Sequence, residues 1–173
     1  IEIAEESGVK EGRLTVGYGA GGRDPKIGPE LTFGITMQEH VGQPILLIKT
    51  AWGGKSLNTD FRSPSAGAYV FNDKQIEQFK KRDRNLAEVR QEKINSTGVY
   101  YRSMLEHIRK VLGDIQRVYP DYDAESGYEL SGFVWFQGWN DMVDAGTYPS
   151  RGQAGSYDAY SRNLAHFIRD VRK

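Results

Sequence analysis

The sequence predicts an α/β fold with a parallel sheet. Two short runs, Ile45–Ile48 and Phe133–Phe136, are apolar at every position. They are too short for ordinary helices and lack the alternation of a half-solvated strand, so they read as strands buried on both faces. Each is followed by a segment with helical periodicity, the order expected of a parallel sheet flanked by helices. Each also ends in a glycine-bearing turn, "AWGGKSL" after the first and "QGWND" after the second. In such folds ligands sit beyond the carboxyl ends of the strands.

Taken in order, the chain opens with a Gly-rich stretch over residues 1–28. There Leu14, Val16 and Tyr18 alternate weakly, as a short edge strand or an extended loop. Pro29 and Glu30 suit the first turn of a helix that carries Leu31, Ile35 and Val41 on one face. The first strand follows, ending near Thr50. Residues 58–73 hold Pro, Ser, Gly and Asn and read as a loop. Residues 74–95 are densely charged with a thin apolar stripe, Ile76, Phe79, Leu86, Val89 and Ile94, which fits a solvated surface helix. From Val99 to the stop at Pro120, Leu105, Ile108, Val111, Leu112 and Ile115 repeat at helical spacing. After a polar loop and the second strand, a helix from Tyr157 turns Tyr160, Leu164, Phe167, Ile168 and Val171 inward. No internal repeat is present.

The bulk numbers narrow the function. The 173 residues suit a single domain, 1–173. Lys+Arg and Asp+Glu are both 23, which gives no basic footprint for nucleic acid. Without Cys there is no disulfide frame and no thiolate metal site. No apolar run approaches the ~18 residues of a membrane span. The first residue is Ile1 rather than Met, as in a processed or truncated chain.

The two turns carry the chemistry. "WGGKS" is not a phosphate loop, because the position five residues before Gly54 is Lys49 rather than Gly. Gly53 and Gly54 instead offer backbone N–H groups with no Cβ in the way, suited to a developing oxyanion. The Gln137 amide, at the end of the second strand, either donates to the same oxyanion or caps a loop carbonyl. Trp139 reads as the wall of a site or a packing lid. Asn140 and Asp141 hold the loop by side-chain to backbone hydrogen bonds. None of His40, His107 and His166 sits in a catalytic context, and Ser56 has no base beside it in sequence.

"IGPELTFG", "PILLIKTAWGGKSL", "GFVWFQGWNDM" and "YSRNLAHFIRDVRK", in this order and spacing, resemble the carbohydrate esterases that include the sialate O-acetylesterases. This is the branch of the GDSL/SGNH hydrolases similar to carbohydrate esterase family six, and the resemblance runs from about Gly12 to Lys173. It implies a three-layer α/β/α sandwich and serine-type removal of O-acetyl groups from sugars. The substrate would be an acetylated carbohydrate, with no metal or cofactor and no nucleic-acid or membrane partner, outside the cell or in the periplasm. It assigns Gly53 or Gly54 and Gln137 to the oxyanion hole and leaves Trp139, Asn140 and Asp141 beside the substrate. Many relatives carry Glu where this chain has Trp139.

The family's "GQSN" nucleophile block and its Asp-x-x-His block are both absent from these 173 residues. By the resemblance, the strand bearing the nucleophile lies between the two strands present here. The chain therefore reads as the middle of such a domain, truncated at both ends, with missing segments of the same protein expected to complete the sheet. The alternative is a non-catalytic carbohydrate-binding or structural module on the same fold.

Overall fold

A computed structural model describes residues 9–19 and 25–173. The reading of a processed terminus at Ile1 lies outside them, as does part of the Gly-rich opening. The helices are α1 (Pro29–Val41), α2 (Asp73–Lys81), α3 (Leu86–Ser96), α4 (Val99–Gly113), α5 (Ile115–Val118), α6 (Trp139–Val143) and α7 (Asp158–Val171), with a 3₁₀ turn at Pro64–Ala66.

The expected parallel sheet, and with it the α/β/α sandwich, is not seen. Among the described residues none belongs to a strand, and Lys49 alone carries an isolated bridge. The physical reason is pairing. Strand N–H and C=O groups are satisfied by neighbouring strands, and no described segment pairs with either apolar run. The runs also fall in different compact units. One unit comprises the described residues up to Gly53 with Met104–Ser131, and the other Gly54–Ser103 with Gly132–Lys173. The division falls within α4.

In the first unit, Leu14 and Leu47 pack against buried Tyr18. Residues 14–18 form bends and turns rather than an edge strand, and the N–H groups of Gly17 and Gly19 both donate to Lys26 O. Helix α1 presses on this cluster through Gly34, where a Cβ would stand 2.4 Å from a Leu14 methyl. Ile35 and Val41, expected inward, stay exposed. The run from Ile45 is tied to α1 by Lys49, which pairs with Glu30 at 3.0 Å and donates to Tyr18 O at 2.9 Å. Met104, Val111 and Ile115 form the buried stripe of α4 and α5. The expected single helix 99–120 breaks at Gly113, and Asp114 caps the short α5 through Arg117 N–H.

In the second unit the core is aromatic. The Phe167 ring of α7 lies 4.3 Å from Trp135, 5.8 Å from Tyr101 and 5.9 Å from Phe133, and Phe61 meets Trp135 edge-on at 5.1 Å. Residues 133–136 thus cover one face only, and that in part: Trp135 and Phe133, the latter still 44% exposed, pack on Phe167, while Val134 is 68% exposed and Phe136 89%. The charged segment 74–95 is two helices rather than one. Asn72 opens α2 in a reciprocal cap with Gln75, Asp83 adopts a left-handed φ of 52°, and Asn85 caps α3 through Ala87 N–H. No apolar side chain lies between Phe79 and Leu86 to hold a continuous helix down. No helix among the described residues is long and apolar enough to cross a membrane.

Candidate functional site

Leu57 is fully buried and sits one turn past the paired glycines. Gly54 has a φ of 73°, a conformation that favours glycine, and nothing lies within 4 Å of where its Cβ would be. No hydrogen bond engages its N–H among the described residues. Lys55 O accepts from Gln137 Nε2 at 3.0 Å. The structure therefore brings Gln137 and the Gly54–Lys55 turn together within the second unit. Gly53 belongs to the first.

Asp141 organises this region. It is 1% exposed, and its carboxylate accepts four hydrogen bonds: Leu57 N–H at 2.7 Å, Asn58 N–H at 3.0 Å, Gln137 Nε2 at 2.8 Å and Tyr148 OH at 3.0 Å. Burial, then the nearby Asp141 charge, push the Tyr148 phenol well above its ordinary range, which keeps it a protonated donor. Tyr160 OH lies 2.9 Å from Gln137 O and 3.3 Å from Gln137 Oε1. Burial raises that phenol too.

Both amide hydrogens of Gln137 are thus engaged, one on Lys55 O and one on Asp141. Asp141 does hold a loop by backbone bonds, but the loop is Leu57–Asn58 rather than its own. Its own segment is α6, a short helix where the sequence reading had a turn. Trp139 opens that helix and is 69% exposed. Asn140 is half-buried, and its side chain makes no hydrogen bond among the described residues.

Ser56 has a structural use. Its hydroxyl donates to Asp60 Oδ2 at 2.9 Å and accepts from Thr59 N–H at 3.2 Å. A second serine does meet a histidine: Ser65 Oγ lies 3.0 Å from His166 Nδ1, across 101 residues of sequence. No local sequence signal marks that pair. Nor does it form a hydrolytic site. The neighbouring Asp170 accepts from Ser65 N–H at 2.8 Å rather than orienting the imidazole, and Ala66 and Gly67 N–H groups bond within the 3₁₀ turn. The N–H groups of Ser65, Ala66 and Gly67 are thus all committed, and none of the three is left for an oxyanion. Among the described residues no group of three His, Asp or Glu is placed to hold a metal ion.

Sequence reasoning missed Tyr148 and Tyr160, whose phenols complete the clamp. Tyr160 was assigned to the inward face of the last helix, and nothing in the loop around Tyr148 marks it. No curated protein and no solved structure matches the chain. Residues 14–173 match the family model described as carbohydrate esterase, sialic acid-specific acetylesterase. The match takes in nearly every described residue, the Gly54–Lys55 turn and the Asp141 clamp included, and the chain belongs to that family of carbohydrate esterases.

Proposed function

We propose that the whole protein removes O-acetyl groups from sugars by serine-type acyl transfer to water, outside the cell or in the periplasm. Its nucleophile and base come from segments of the same protein other than these 173 residues. Within this chain, the N–H group of Gly54 is a donor to the tetrahedral oxyanion, and Trp139 and Asn140 stand beside the substrate. Gln137 is a positioning residue: it fixes the Gly54–Lys55 turn through Lys55 O. The observation that carries this reading is the uncommitted Gly54 N–H, on a turn held from behind by Gln137 and Asp141. Preorganised donors of this kind are worth about 10²–10³ in rate each.

The test is acetate release from an O-acetylated sugar, together with fluorophosphonate labelling mapped by mass spectrometry. Turnover and a labelled serine outside residues 1–173 support the proposal. A label on Ser56 or Ser65, with activity lost in Ser56→Ala or Ser65→Ala, would overturn it. The non-catalytic reading is favoured by one observation, the engagement of both Gln137 hydrogens. Sugar binding by the whole protein without acetate release would establish that reading instead.

A further inference from the structure

A recess of about 330 Å³ opens in the second unit, lined by Asn58, Arg62, Tyr69, Arg162, Asn163 and His166 among others. Its volume is at the lower end of small-molecule sites, the size of a single sugar unit. Its charge is one-sided. Two guanidinium groups line it, and no carboxylate does.

The two arginines differ in what they have left to give. Arg62 spends its N–H groups on oxygens of its own unit: Nε on Gly67 O at 2.8 Å, Nη2 on Ala66 O and Ala68 O, and Nη1 on Asn58 O, Asn58 Oδ1 and Asn163 Oδ1. These are neutral acceptors, so the group is solvated but its charge is not cancelled. Burial lowers its pKa, yet a guanidinium stays charged in proteins. The Arg162 side chain, exposed on α7, makes no hydrogen bond or ion pair among the described residues, so its donor fork is uncommitted. The Asp170 carboxylate, one turn past the lining residue His166, is held by Ser65 N–H and Lys173. Asn163 Nδ2 is fixed on Asn58 Oδ1 at 3.1 Å.

We propose that this recess is a binding site for a small oxyanion-bearing ligand, a carboxylate or phosphate on a sugar-sized body. Arg162 makes the direct contact and Arg62 supplies a fixed positive charge. An arginine fork matches both oxyanions bidentately. Only the sugar body rests on the proposed esterase function. The oxyanion contact rests on the two arginines.

The experiment is calorimetric titration of the complete protein with glucuronate, glucose 6-phosphate, inorganic phosphate and glucose. Either charged sugar should bind at least about ten-fold tighter than glucose, since a charge-assisted pair contributes that much or more. The affinity should fall as salt is raised. Arg162→Gln should lose about ten-fold with an unchanged melting temperature, and Arg162→Lys should fall between. Preference for glucuronate identifies a carboxylate ligand, and preference for glucose 6-phosphate a phosphate ester. Phosphate binding as tightly as both sugars would overturn the sugar-sized body. Glucose binding as well as the charged sugars, no saturable binding, or salt-independent affinity would overturn the site itself. Because no ester is cleaved, these outcomes are separate from acetate release.

Discussion

Asp141 and Arg62 are both charged side chains set into the second unit with no opposite charge bonded to them among the described residues, and the protein treats them differently. Asp141 is enclosed, and its four donors satisfy its two oxygens completely. Arg62 is equally well bonded, but it borders an open recess. The difference teaches how to read a buried charge. Closed and fully solvated by protein dipoles, it is a brace for the elements that supply the dipoles. Open on one side, the same kind of group leaves a field that a ligand can meet.

The sharpest way to break this comparison is Asp141→Ala. Two backbone N–H groups, a buried phenol and the Gln137 amide would lose an ionised acceptor. Urea unfolding should show a loss of roughly 4 kcal/mol or more. A loss under about 1 kcal/mol would mean the carboxylate is not the brace.

Arg62→Met should cost less, roughly 2 kcal/mol, because carbonyls beside an open recess can turn to water. A cost matching that of Asp141→Ala would erase the distinction between closed and open charges.

Asp170 provides an intermediate case. Its burial would raise its pKa, but hydrogen bonds from Ser65 and Lys173 outweigh this and hold it well below the usual carboxylate range. A depressed folded pKa contributes stability that is present above the unfolded value, about 3.9, and is lost as pH falls through the folded one. Asp170→Asn should therefore be destabilising near neutral pH, with the difference from the parent chain closing in acid. A gap that widened below pH 4 would reverse the sign.

The smallest effect belongs to Lys81→Ala, an exposed charge at the end of α2. Thermal unfolding should change by no more than about 0.5 kcal/mol. A larger change would point to a buried partner for Lys81.

What could be read in the sequence follows from what is local. The Pro29 start of α1, the α7 periodicity and the Gly53–Gly54 turn depend on neighbouring residues, and the structure has helices at the first two and Gly54 at a left-handed φ at the third, whereas the second expected turn, at Gly138, gives way to α6. The sheet was not a local property: Ile45–Ile48 and Phe133–Phe136 have strand composition, but pairing depends on partners elsewhere. The break at Arg82–Asn85 was legible in principle, since Asn85 is a good N-cap, but the evenly charged run hid it. At the candidate site, Gln137 and Asp141 stood out as polar residues at the end of an apolar run. Their donors and acceptors, Leu57, Lys55 and Tyr148, are chosen by tertiary packing. The same is true of Ser65 and His166, whose meeting depends on how α7 lies on the 3₁₀ turn.

The half-covered segment at residues 132–137, "GFVWFQ", has a practical consequence for handling the protein. It is uncharged, lacks proline, is rich in β-formers, and presents Val134 and Phe136 to solvent with no ladder along its backbone. Those are the attributes of a cross-β seed, in which identical segments from many chains stack in register. Concentrated solutions of the 173-residue chain should therefore gain thioflavin fluorescence with time. A single lysine at Val134, on the uncovered face away from Phe167, should act as a gatekeeper and slow that growth without loosening the aromatic core.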